Sequence, residues 1–220
     1  MRSDSALAAG QAGRGPSVGE APFEAILLAA GESRRMGYPK PLLRLGSRTF
    51  VEILAAAMLQ SAARLIVVVG AHAGAVRGPI PADPRIAVVD NPHYLRGQLS
   101  SIKAALPHIS ADAGGVLIHL VDHPMVRAET FAALIDGYRR LGSPIVIARY
   151  QGRRGHPVLF ARLVLGELAA APEDQGARVV VDRDPARVAY VDVDDPGVLI
   201  DLDTPEDLER AGLARPPRCE

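Results

Sequence analysis

Tryptophan is absent, cysteine occurs once, and phenylalanine, tyrosine and tryptophan together make up only 4% of the chain. Scarce aromatics leave no platform on which successive bases could stack, which argues against a single-stranded nucleic-acid binder. They also require an aliphatic core of Val, Leu, Ile and Ala. The lone Cys219 rules out a disulfide framework within the chain and a cysteine metal site, so any metal must be held by carboxylates or histidines. Net charge is lacking as well. The 25 basic residues balance the 25 acidic ones, which disfavours general binding to nucleic acid or to a membrane surface and confines electrostatics to a local site. No apolar run reaches the roughly 18 residues of a membrane span, and Met1 to Pro22 lack the continuous apolar segment of a secretory signal. A cytoplasmic enzyme with small-molecule partners is the expectation.

What is present suits one ordinary globular domain, since 48% of the 220 residues are hydrophobic. Residues 1–22 are rich in Gly, Ala and Ser without periodicity and read as a disordered leader. The domain is expected over 23–214, with 215–220 as a frayed tail. Within it, strand patterns at Ala25–Ala29, Leu65–Gly70, Ile86–Asp90, Val116–Val121, Pro144–Ala148, Pro157–Phe160 and Val188–Val193 alternate with helical ones. The helices are expected at Thr49–Ser61, Gln98–Leu106, Arg127–Leu141, Ala161–Ala170 and Pro205–Ala211, with Pro144–Ala148 and Pro157–Phe160 paired as a hairpin. Such alternation implies an α/β fold with a mostly parallel sheet covered on both faces, which binds ligands at the carboxyl ends of its strands.

One of those ends carries the densest signal. After the apolar run Ile26 to Ala29, the chain reads Ala30-Gly31-Glu32-Ser33-Arg34-Arg35-Met36-Gly37-Tyr38-Pro39-Lys40. Small residues at Ala30 and Gly31 let backbone N–H groups approach phosphate oxygens, while Arg35 and Lys40 supply positive charge. Neither G-x-x-x-x-G-K-[ST] nor G-x-G-x-x-G occurs here, so a P-loop NTPase and a dinucleotide-binding protein lose their main support.

Four further segments could carry chemistry. Asp122, in His119-Leu120-Val121-Asp122-His123-Pro124, would project from a strand's carboxyl end, where it suits either a hard cation or a helix cap. In Asp201-Leu202-Asp203-Thr204-Pro205-Glu206-Asp207-Leu208, Thr204 or Asp203 before Pro205 makes a helix start that accounts for Glu206 and Asp207 as dipole partners. Asp203 is left over. Asn91, opening Asn91-Pro92-His93-Tyr94-Leu95-Arg96-Gly97-Gln98, could orient a base or ribose through its amide, or simply shape an Asn-Pro turn. In Gly152-Arg153-Arg154-Gly155-His156-Pro157, the arginines can reach a phosphate monoester or form a charged hairpin tip.

In order and spacing these segments resemble the MobA-like nucleotidyltransferases. The first matches their L-A-A-G-x-S-x-R-M-G-x-x-K signature, and the Gly155-His156-Pro157-Val158-Leu159-Phe160 stretch is similar to the molybdenum cofactor cytidylyltransferase branch. The resemblance implies a Rossmann-like three-layer transferase fold. It implies transfer of CMP from CTP to the phosphate of a molybdopterin-type acceptor with release of pyrophosphate, Mg²⁺ as cofactor, and a molybdoenzyme or its chaperone as onward partner. In that reading Leu28, Ala29, Ala30, Gly31 and Asn91 meet the nucleotide, and Arg35 and Lys40 neutralise the triphosphate. Asp122 and Asp203 hold the metal, with Asp201 as second choice, and Arg154 and His156 face the acceptor. His123 stands where the family usually has Met or Gln. The rivals are a guanylyltransferase, transfer to another phosphorylated metabolite, and a nucleotide-binding accessory module without turnover.

Overall fold

A computed structural model describes residues 21–214. Residues 1–20 of the leader expected over 1–22, and the tail over 215–220, lie outside the described residues. Ala21 is buried, and the Pro22 carbonyl accepts a hydrogen bond from Gly114 N at 2.8 Å, so these two residues pack with the domain. No helix among the described residues is long and apolar enough to cross a membrane.

The chain forms β1 (Phe23–Ala29), the short strands β2 (Arg44–Leu45) and β3 (Arg48–Thr49), α1 (Phe50–Met58), β4 (Arg64–Val69) and α2 (Ala73–Val76). There follow β5 (Ile86–Asp90), α3 (Gln98–Ala105), β6 (Gly115–Leu120), α4 (Ala128–Leu141), β7 (Ile145–Tyr150) and β8 (Arg153–Ala161). The last elements are α5 (Arg162–Ala170), α6 (Arg178–Asp182), β9 (Val188–Asp192) and α7 (Pro205–Arg210). Seven strands make one sheet in the order β5-β4-β1-β6-β8-β7-β9. Within it β8 alone runs against its neighbours, β6 and β7, and so supplies the expected hairpin.

Alternation along each strand sorts side chains between two faces. Leu27, Val67 and Leu117 point to the face covered by Phe50 and Leu54 of α1 and Phe131 and Leu134 of α4. Ile26, Ile66 and Ile118 point to the other, covered by Leu99 and Ile102 of α3 and Val164 and Leu168 of α5. The result is the expected three-layer α/β architecture. Local chemistry fixes where two of the helices start. Thr49 and Glu52 form a capping box for α1, and Thr204 with Asp207 forms one for α7, which places the helix start at Thr204 rather than at Asp203.

The sheet order decides where a ligand can sit. From β1 the chain runs outward to β4 and β5, then returns to β6 on the other side of β1. The loops leaving β1 and β6 therefore diverge and open a crevice at their carboxyl ends.

Candidate active site

A cavity of about 340 Å³ fills that crevice, lined by Leu28, Ala29, Ala30, Gly31, Arg35, Lys40, Asp122 and Asp203 among others. Every residue expected from the sequence to meet nucleotide or metal, Asn91 and the second-choice Asp201 aside, thus faces one space. The loop after β1 is locked in shape by its own backbone. Ser33 takes a left-handed conformation (φ 55°), and its carbonyl accepts from Met36 N and Gly37 N at 3.0 Å. Its hydroxyl accepts from Lys40 N at 3.0 Å. His72 Nε2 donates to the Glu32 carbonyl at 3.1 Å, and Ala71 N to the Ala30 carbonyl at 3.1 Å, tying the loop to the end of β4.

Lys40 reaches from this loop to two carboxylates. Its Nζ donates to Asp122 Oδ2 at 2.9 Å and pairs with Asp203 Oδ1, while its side chain is only 11% exposed. Burial works to lower its pKa, but the charge of Asp122 and the hydrogen bonds to both aspartates outweigh that and hold the ammonium above its usual value. Asp203 arrives from the other end of the chain because Leu202 N donates to the Asp122 carbonyl at 3.0 Å. Its second oxygen pairs with Arg35 at 2.6 Å, and Arg35 is 71% exposed. Both oxygens of Asp203, the expected second metal ligand, are therefore occupied by cations.

Asp201, the second choice, stands beside Asp122 and His123. Ligand atoms of Asp122, His123 and Asp201 fall within 4.8 Å of one another. Burial and the charges of Asp122 and Asp203 hold the Asp201 carboxyl above the usual carboxylate range. Asp122 Oδ1 is buried without a partner among the described residues. An unpartnered buried carboxylate oxygen beside a second carboxylate suits a divalent cation.

Asn91, expected either to meet the nucleotide or to shape an Asn-Pro turn, is built into the turn. It is 3% exposed and absent from the cavity wall, with its amide donating to Ser100 Oγ at 2.8 Å and Ser101 Oγ at 2.9 Å. Its Oδ1 accepts from His93 N at 2.9 Å. These bonds spend its polar capacity on shaping the turn into α3, whose Tyr94, Gln98 and Ser101 neighbours do line the cavity.

A second cavity of about 380 Å³ adjoins the first, sharing Gln98 and Leu120. Its wall includes Arg153, Arg154, Gly155, His156 and His123, which brings the expected acceptor residues next to the first cavity. Arg154 pairs loosely with Asp182 at 3.6 Å. His119, His123 and His156 cluster beneath, with ring centroids 5.2 to 6.4 Å apart. His119 is fully buried and donates from Nε2 to the His123 carbonyl at 3.1 Å, which makes it a core residue. Burial and the neighbouring His123 push the His156 pKa down to about 4, so its ring is neutral near pH 7. The convergence of these histidines was invisible in the sequence, as was the role of Ser33.

Residues 25–188 match the MobA-like NTP transferase domain. The chain is 27% identical to the molybdenum cofactor cytidylyltransferase of Escherichia coli K12, over 84% of this chain and 93% of that protein. It is 32% identical to the molybdenum cofactor guanylyltransferase of Sinorhizobium fredii, over 85% of this chain and 89% of that protein. Among solved structures, the Rv0371C complex with manganese from Mycobacterium tuberculosis is 31% identical with a TM-score of 0.69, covering 86% of this chain and 97% of that one.

Proposed function

Because the chain belongs to the MobA-like NTP transferase family, and so is a nucleotidyltransferase, we propose that it moves CMP from CTP to the phosphate of a molybdopterin-type acceptor and releases pyrophosphate. The observation that carries the transfer reading is the buried Lys40 ammonium, held between Asp122 and Asp203 under a loop of small residues at the sheet's carboxyl edge. The cytidylyltransferase and guanylyltransferase relatives support a molybdopterin acceptor and leave both CTP and GTP in play.

The reaction needs no dedicated base. A phosphate monoester is anionic near neutral pH, so its oxygen attacks the α-phosphorus directly while the bond to the β-phosphate oxygen breaks and pyrophosphate takes up that electron pair. Catalysis is then positioning and charge neutralisation. In this reading Leu28 to Gly31 hold the nucleotide with their backbone, and Lys40 and Arg35 neutralise the triphosphate and the departing pyrophosphate. Arg154 and His156 line the adjoining cavity, from which the acceptor phosphate would approach. A divalent cation at the aspartates around Asp122, Mg²⁺ being the usual choice for carboxylates and phosphates, would supply further neutralisation when bound. The manganese complex of the mycobacterial relative supports divalent-ion binding in this fold.

The preference for CTP rests on Ala30, which is 4% exposed, lines the cavity and packs against Gly70. The guanine-transferring branch of the family typically reads L-A-G-G where this chain has Leu28-Ala29-Ala30-Gly31, so the Ala30 methyl would narrow the space for a base. One methyl is worth about 1–3 kcal/mol of discrimination, so some use of GTP is expected and Ala30→Gly should shift preference toward GTP. Pyrophosphate release from each NTP with a molybdopterin acceptor tests the whole reading. A higher kcat/KM for GTP in the wild type refutes the cytidylyl assignment, and no release with any NTP favours the accessory-module rival.

A further inference from the structure

Asp122 has two faces. Its Oδ2 is taken by Lys40, and on that side Asp203 is also spent, on Lys40 and Arg35. Its Oδ1 is buried without a partner among the described residues. The further carboxylate near Asp122 is Asp201, and the third group is not a carboxylate but the His123 imidazole, 7% exposed, with its Nδ1 likewise buried and unpartnered among the described residues. Desolvated polar atoms without partners are unfavourable, and ligand atoms from all three residues already lie within 4.8 Å of one another.

We propose that Asp122, His123 and Asp201 form a mixed nitrogen and oxygen site for a divalent transition ion, and that His123 makes this chain favour Mn²⁺, Co²⁺ or Zn²⁺ over Mg²⁺. The proposal deepens the nucleotidyl-transfer reading and rests on it for the use made of the ion, though not for its binding. Mg²⁺ prefers an all-oxygen octahedron and gives up water reluctantly. An imidazole nitrogen adds little for it but strengthens binding progressively from Mn²⁺ to Co²⁺ and on to later ions. The site is half built by a buried ring, whose orientation packing against His119 and His156 constrains, so little ordering remains to be done on binding. Asp201, more exposed, completes it at the solvent edge.

The test uses the full chain without nucleotide. Mn²⁺ binding is followed by loss of the free-ion electron paramagnetic resonance signal, Co²⁺ by its visible absorption, and Mg²⁺ by competition against bound Mn²⁺. One Co²⁺ per chain is expected, with an absorption band that His123→Gln alters. From the loss of one nitrogen donor, His123→Gln should weaken Mn²⁺ and Co²⁺ on the order of tenfold or more and leave Mg²⁺ within about threefold. Asp201→Asn, at an exposed position where folding is not at stake, should weaken every ion. Unchanged ion selectivity in His123→Gln, Asp201→Asn binding like the wild type, or no binding at all overturns the site. Pyrophosphate release by the wild type with Mg²⁺ is read separately. Transfer without selectivity refutes this site alone, whereas selectivity without transfer refutes the proposed function alone.

Discussion

Replacing Lys40 with alanine should cost far more than replacing Arg35, although the two look equivalent in the sequence. Two unit charges 2.9 Å apart, the separation of Lys40 Nζ and Asp122 Oδ2, attract by about 6 kcal/mol at an effective dielectric of 20. Part of that is offset by desolvation, because the ammonium is 11% exposed and both aspartates are about one-fifth exposed. What matters for turnover is that a buried, already oriented charge meets the phosphates without reorganisation. Its removal should lower kcat by about 10²–10³-fold, the usual scale for losing one preorganised group. Arg35 is 71% exposed and pairs with one carboxylate oxygen, a setting in which an ion pair is worth about 0–1 kcal/mol. Arg35→Ala should therefore cost less than about tenfold in kcat. Steady-state pyrophosphate release at saturating NTP and acceptor measures both, with circular dichroism to establish that each variant is folded. Equal losses in the two variants, or a Lys40→Ala kcat within tenfold of wild type, would refute the argument from burial. The same pair has a pH signature. The folded pKa of Lys40 lies above its unfolded value, so its stabilisation is fully present below pH 10.5 and is lost as pH rises through the folded pKa.

Gly155→Ala would drive a methyl into the backbone of Val198, whose carbonyl carbon would lie 2.7 Å from it and whose oxygen closer still. A loss of about 1–3 kcal/mol is expected from such overpacking, and an unchanged denaturation midpoint contradicts it. Stability should also fall as pH drops from about 6.5 toward 4. The unfolded chain binds a proton at position 156 that the folded one, with a pKa of about 4, refuses, a difference worth up to about 3 kcal/mol, with buried His119 acting in the same direction. His156→Gln should flatten that part of the urea-stability profile, and a profile identical to wild type would discount the histidine. Asn91→Ala should lower stability by about 1–3 kcal/mol, because it strips partners from Ser101 and the His93 amide. Normal stability with a change confined to the KM for nucleotide would put the Asn91 amide back on the ligand.

The sequence by itself determined whatever depends on neighbours along the chain. The unbroken apolar run before Ala30 marks a strand buried on both faces, and β1 is buried at every residue. Thr204 or Asp203 before Pro205 marks a helix start, and Thr204 is the one that forms the capping box of α7. Alternating periodicity placed the long helices and strands to within a few residues, whereas β2, β3, α2 and α6 are too short to leave a period and went unseen. Tertiary structure alone decided who partners whom. Lys40 meets Asp122 and Asp203 across separations of 82 and 163 residues. Local pattern could not tell that Asp203 is taken up by cations while Asp201 stands with Asp122 and His123, nor that the Asn91 amide bonds Ser100 and Ser101. Residues two apart share every local signal of composition and spacing. Which of them faces a charge is set by the sheet order that brings the loops after β1 and β6 and the segment before α7 to one edge, and by the direction in which each backbone arrives there.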